Sequence, residues 1–183
     1  MMTIRKPFTA IIGAGQVGAT SAQRILEKGI SDVVLFDVVP GMPQGKALDL
    51  MESAPVEGHD RRIVGTNEYK DIAGADIVVV TAGLPRKPGM TREDLLLLNS
   101  KIIQDVCGNI KRFAPEAILI IVTNPLDVMT HLAQKVTGFP KERVFGMAGV
   151  LDTARMRYFI AERLQVVPRD VGNRRASRWS RSH

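Results

Sequence analysis

"GAGQVG", Gly13 to Gly18, stands between the β-branched apolar run "TAII" (9–12) and "TSAQRILEKG" (20–29), a helix-forming segment. A glycine-rich turn alone has many causes, but this one joins a strand to a helix and gives each glycine a separate task. Gly13 permits the tight turn, Gly15 lets a pyrophosphate approach the backbone, and Gly18 lets helix and strand pack closely. Ala14, Gln16 and Val17 fill the positions between them. The next apolar run, "VVLF" (33–36), ends at Asp37, 19 residues past Gly18. A carboxylate there accepts hydrogen bonds from the hydroxyls of an adenosine ribose. Val38 and Val39 follow, with no arginine to receive a 2′-phosphate, so the pattern favours NAD over NADP.

Outward from this unit, short apolar runs keep alternating with helix-length amphipathic segments. The runs are "RRIVG" (61–65), "DIVVV" (76–80), "AILIIV" (117–122) and "RVFG" (143–146). Such alternation predicts an α/β fold of the Rossmann type, a doubly wound parallel sheet covered by helices on both faces. Between the runs, "TRED" from Thr91 offers an N-cap hydroxyl with Asp94 three residues on, a variant of the capping box. Ile102, Ile103, Val106, Ile110 and Phe113 then recur at spacings of three and four, and Pro115 closes the helix. A last helix over about residues 150–165 carries Met156, Phe159, Ile160 and Leu164 at similar spacing, and "VVPRDV" after it is read as the start of a further strand.

The chain has 183 residues, 45% of them hydrophobic, enough for a folded globule with a core. Its apolar runs are far short of the roughly 20 residues a membrane helix needs. The start "MMTIRKPFTAIIGAG" runs directly into the glycine loop and has no small-residue cleavage site, so no signal peptide is read there. One cysteine, Cys107, excludes an internal disulfide and a multi-cysteine metal site, fits a reducing compartment, and is read as a buried structural thiol. The cytoplasm is the expected location and no metal site is expected. The formal charge of +6 is uneven: without the last twelve residues, which hold four arginines and no acid, 21 basic side chains face 19 acidic ones. A body this nearly balanced is no argument for a nucleic-acid partner.

After the fourth strand comes "TAGLPRKPGMTREDLLLLNSKI" (81–102), a loop punctuated by Pro85, Pro88 and Gly89 and carrying Arg86 and Arg92. Two guanidinium forks beside a nicotinamide suit carboxylate recognition. "VTNPLD" (122–127) ends a strand and "GVLDTAR" (149–155) opens a helix. This ordered set of motifs resembles the lactate and malate dehydrogenase family, most closely its NAD-dependent malate dehydrogenases of lactate-dehydrogenase-like type, from residue 7 to about 171. The resemblance implies that Gly13, Ala14, Gly15, Gln16, Val17, Gly18 and Asp37 bind NAD. Asn99, Val122, Thr123 and Asn124 would line the cofactor, Asn124 touching substrate as well. Arg86, Arg92 and Arg155 would bind substrate carboxylates or the reacting oxygen. Lactate dehydrogenases usually have glutamine at the position of Arg86; an arginine facing a methyl group would stay unpaired, which favours malate and oxaloacetate over lactate and pyruvate. Members of the family are homo-oligomers, with neither nucleic acid nor membrane as partner.

The base that accepts the malate hydroxyl proton in this family is a histidine in a "GGHGD"-like segment, with Asp152 to orient it. No such segment is present. His59 in "EGHD" is read as a surface residue, His131 as structural within a helix, and His183 is the last residue. The family pattern stops near Val171, ahead of "GNRRASRWSRSH" (172–183). Written CGG TGG TCA CGG, the codons of Arg178 to Arg181 give Gly-Gly-His-Gly one base on, so a frameshift or truncation is the expected origin of the tail. The expected organisation is an NAD-binding domain over 1–149, the start of a truncated substrate domain with only its first helix over 150–171, and a non-family basic tail over 172–183. Without the histidine the chain is expected to be inactive alone. The alternatives are an NAD-binding module or non-catalytic partner of an intact dehydrogenase, and a weak nucleic-acid binder acting through its tail arginines.

Overall fold

The computed structural model describes residues 8–85 and 88–172. Six strands form one sheet, β1 (Phe8–Ile12), β2 (Asp32–Phe36), β3 (Ile63–Thr66), β4 (Ile77–Val80), β5 (Ile118–Ile121) and β6 (Val144–Gly146). Every pairing is parallel and the strand order is β3-β2-β1-β4-β5-β6. The order reverses at β1, so the connections after β1 and β4 leave the sheet on opposite faces and open a crevice at the carboxyl edge between them.

Buried alternation along β1 shows how the two faces are built. Ala10 and Ile12 pack with Val78, Val80, Leu119 and Ile121 into the core under α4 (Arg92–Phe113) and α5 (Leu126–Thr137). Ile11, pointing the other way, packs with Ala22 and Leu26 of α1 (Gln16–Glu27) and with Ala47 of α2 (Met42–Glu52). A side chain such as Ile11, fully buried, contributes about 1.5–3 kcal/mol relative to exposure.

Helix α4 starts as its sequence demands. Thr91 Oγ1 accepts the Asp94 N–H at 3.0 Å while an Asp94 carboxylate oxygen accepts the Thr91 N–H at 2.9 Å, a complete capping box. Of its apolar face, Ile103, Val106, Cys107 and Ile110 are buried, and Ile102 and Phe113 pack on the same core. A four-residue turn, α3 (Ala54–Glu57), ends at Gly58 in the left-handed conformation.

The chain divides into two compact units between Gly146 and Met147. The second contains α6 (Gly149–Leu164) and a 3-10 turn at Pro168–Asp170. Met156, Phe159 and Leu164 on α6 are 65, 68 and 64% exposed.

Two expectations change. "VVPRDV" forms no strand: Pro168, with its fixed φ and no N–H to give to a ladder, opens the 3-10 turn instead. His59 is half-buried and not a surface residue, its Nδ1 being shielded from solvent without a protein partner, because the chain turns at Gly58 before β3. His131 lies exposed on α5. Arg86, His183 and all of the tail but Gly172 lie outside the described residues.

Candidate functional site

The site grows from the end of β1. Gly13 has φ +107°, and a Cβ there would stand 2.7 Å from the Ala82 nitrogen. Gly18, on the first turn of α1, faces back on the same peptide, and a Cβ there would overlap the Gly13 carbonyl oxygen. Both glycines are therefore required for helix and strand to come this close. Gly15 is the opposite case, exposed and with open space where a Cβ would be. As the N-cap of α1 it brings no side-chain hydrogen bond, and the first turn has no acid, so the helix begins with its positive end uncapped. An open glycine over an uncapped helix start is a fitting cradle for a pyrophosphate.

Asp37 follows β2, beside this loop. Its Oδ2 accepts the Ala14 N–H at 2.7 Å and its Oδ1 the Val39 N–H at 3.0 Å. Each carboxylate oxygen can accept a second bond, so the group is oriented without being saturated. Asn67, after β3, donates to the carbonyls of Asp37 and Val39 at 2.6 and 3.1 Å and fixes the turn that presents the carboxylate. Phe36 stacks on Tyr69 with ring centroids 4.0 Å apart, and burial drives the Tyr69 hydroxyl pKa above its ordinary range. Val38 and Val39 are exposed.

From the far side of the reversal, Thr81 follows β4 and donates Oγ1 to the Gly13 carbonyl at 3.0 Å. Thr123 follows β5 and donates to the Ala82 carbonyl at 2.7 Å. Buried Asn99 of α4 spans the next gap: its Oδ1 accepts the Leu84 N–H at 2.8 Å and its Nδ2 donates to the Asn124 carbonyl at 2.7 Å. The loops after β1, β2, β4 and β5 are thus tied into one edge. Val122 is half-buried there, Asn124 is exposed, and Gln16 and Val17 are exposed on the first turn of α1. Arg92 is exposed as the first residue of α4.

In the second unit Asp152 and Arg155 form an exposed ion pair at 3.3 Å on α6. Cys107 lies in the core away from these loops, and burial pushes its thiol up to about 12. Among the described residues no group of three or more His, Cys, Asp or Glu is arranged to hold a metal, and no helix is long and apolar enough to cross a membrane.

Sequence reasoning missed Lys46, Asn67 and Thr81. Thr81 had a usable signal, as the first residue after the strand facing the glycine loop across the reversal. Lys46 lies in "QGKAL", nine residues past Asp37, and its Nζ donates to the Ala14 carbonyl at 2.7 Å. No periodicity marks it.

Residues 9–146 match the family described as lactate/malate dehydrogenase, NAD binding domain. A malate dehydrogenase of Nostoc punctiforme is 58% identical over 165 residues, covering 90% of this chain and 50% of that protein. One from Methanosarcina mazei is 57% identical over 162 residues, covering 88% of this chain and 53% of that protein. Among solved structures, a lactate dehydrogenase of Cryptosporidium parvum complexed with lactic acid and nicotinamide adenine dinucleotide matches with TM-score 0.88 and 44% identity, over 93% of this chain and 54% of that one. The malate dehydrogenase of Cryptosporidium parvum matches with TM-score 0.87 and 44% identity, over 91% and 53%. This chain spans about half the length of the curated relatives it matches.

Proposed function

The chain belongs to the lactate/malate dehydrogenase family, and on that premise we propose that its first unit binds NAD for the interconversion of malate and oxaloacetate. The observation that carries the reading is the joined geometry at the carboxyl edge: an uncapped helix start over open Gly15, with the Asp37 carboxylate bonded to the same loop at Ala14.

The residues divide the work. Gly13 to Gly18 receive the diphosphate, the amides and the start of α1 supplying donors and positive potential. Asp37 accepts from the adenosine ribose, and Val38 and Val39 leave a 2′-phosphate without a cation. Asn99, Val122, Thr123 and Asn124 form the wall toward the nicotinamide, and bound NAD supplies the hydride acceptor for C2 of malate. By the family resemblance Arg86, Arg92, Asn124 and Arg155 each serve the substrate, the arginines through its carboxylates or its reacting oxygen. Asp152 is the partner that would orient a histidine base and balance its charge on protonation, a base that the described residues do not supply.

Neither histidine among residues 8–172 suits that base. His59 precedes β3, at the amino edge of the sheet, whereas the site occupies the carboxyl edge, and His131 is exposed midway along α5. On this reading the chain binds NADH, and with no base among the described residues its oxaloacetate turnover is depressed by about 10² to 10⁴, the usual contribution of a positioned general base. Fluorescence titration with NADH, followed by oxaloacetate and pyruvate reduction assays on the same protein, tests both parts. Absence of NADH binding refutes the cofactor reading. Pyruvate reduced in preference to oxaloacetate refutes the dicarboxylate reading, and turnover at the rate of an intact family member refutes the missing base.

A further inference from the structure

Three hydrogen bonds converge on the first two peptides of the glycine loop. Thr81 holds the Gly13 carbonyl, Asp37 takes the Ala14 N–H, and half-buried Lys46 reaches from α2 to the Ala14 carbonyl. Ala14 itself is fully buried, so its peptide groups depend on these partners. The Ala14 carbonyl belongs to the same planar trans peptide as the Gly15 N–H, and the two point in opposite directions. A charge that fixes the carbonyl toward α2 therefore fixes the Gly15 N–H away from it. Among the described residues that N–H has no protein acceptor, and Gly15 is exposed.

We propose that Lys46 is a positioning residue for the cofactor diphosphate: its ammonium group holds the Ala14 carbonyl and so turns the Gly15 N–H outward as a preformed donor to a phosphate oxygen. The inference rests on the NAD reading above and adds a residue outside the glycine motif to it. Lys46 acts here through the peptide it orients. A loop free to rotate that peptide would have to order it on binding, whereas the lysine holds it ready beforehand.

The test uses the full chain with Lys46→Met, which keeps the length and apolar stem but removes the donor, and Lys46→Arg, which restores one. NADH, ADP-ribose and adenosine are titrated into each by calorimetry or ligand-observed NMR. Lys46→Met weakens NADH and ADP-ribose by about tenfold or more, the affinity equivalent of one hydrogen bond to a charged group. Adenosine, which has no phosphate, binds all forms alike, and Lys46→Arg regains most of the loss. In ¹H–¹⁵N spectra the Gly15 amide shift induced by ADP-ribose is reduced in Lys46→Met. Where methionine prevents folding, Lys46→Gln, with a shorter reach, replaces it in the same comparison. Unchanged ADP-ribose affinity in the variant, or equal losses for adenosine and ADP-ribose, overturns the proposal. Failure of the unmodified chain to bind NADH or ADP-ribose instead removes the cofactor reading, so the two failures are distinguishable.

Discussion

Replacing Asp37 by asparagine separates what this carboxylate does for the loop from what it does for the cofactor. The amide oxygen keeps an acceptor for the Ala14 N–H, now made at 2.7 Å, and so spares a buried donor whose loss costs about 1–3 kcal/mol. The amide nitrogen replaces the acceptor of the Val39 N–H, made at 3.0 Å and exposed, so the stability cost is small, about 1 kcal/mol. The cofactor effect is larger. A ribose hydroxyl bonded to a charged acceptor contributes about 1.5–3 kcal/mol net, so Asp37→Asn weakens NADH by about tenfold or more. A 2′-phosphate carries about −1.5 to −2 charges. At an effective dielectric of 20, one pair of unit charges 4 Å apart interacts by about 4 kcal/mol, so neutralising Asp37 lifts a heavy penalty on NADPH. The ratio of NADPH to NADH dissociation constants therefore falls by about 10² or more. Fluorescence titrations of both nucleotides on wild type and variant, with thermal melts for stability, provide the comparison. A ratio unchanged by Asp37→Asn would refute the placement of Asp37 at the 2′ position, and a melting temperature lowered as far as that of Asp37→Ala would refute the retained Ala14 bond.

Gly18→Ala forces its Cβ into the Gly13 carbonyl and, since neither group is the end of a flexible side chain, destabilises by about 1–3 kcal/mol; a denaturant midpoint equal to wild type contradicts the close approach. Thr91→Ala removes the hydroxyl that caps α4 and lowers stability by about 1 kcal/mol, with Thr91→Ser recovering most of it, both read from urea melts. Burial raises the Cys107 thiol from an ordinary 9 to about 12, so in the folded protein its thiolate fraction is lower by roughly 10³ and iodoacetamide labelling at pH 8 proceeds only as the chain unfolds. Because the folded-state value lies above the unfolded one, the stability linked to this proton is complete below pH 9 and is lost between pH 9 and about 12; Cys107→Ala removes that loss, and an identical alkaline profile in the variant counts against it.

The strands were legible because their residues are β-branched and apolar: β1 and β2 are buried on both faces, "IVVV" and "ILII" fully on one, and the parallel order follows once helices separate them. The helix at Thr91 was legible because its cap is local, three residues wide. "VVPRDV" misled for the same reason the strands did not. Its valines are β-branched, but Val166 and Val167 remain half-exposed and Pro168 withholds an N–H, so the run has propensity without a ladder to join. His59 misled in the opposite sense, since polar neighbours in sequence say little about a residue that a left-handed glycine turns inward.

The motifs of the candidate site were legible in the sequence and their wiring was not. Gly13, Asp37, Asn99 and Asn124 each lie in motifs that can be read singly, yet what makes them one edge is a set of side-chain bonds to backbone across 15 to 68 residues of sequence. Such bonds have no period, because one side chain serves one remote peptide. Asn99 shows the consequence most clearly. Its side-chain oxygen and nitrogen are engaged by the loops after β4 and β5, so under the proposed NAD reading it acts through the backbone it ties together at Leu84 and Asn124. Lys46 and Asp37 do the same for the two ends of Ala14. The glycines leave room for a dinucleotide, while residues outside the glycine motif hold that room in shape. A glycine motif in sequence therefore identifies where a phosphate can approach, and the remote donors and acceptors decide whether the amides already point toward it.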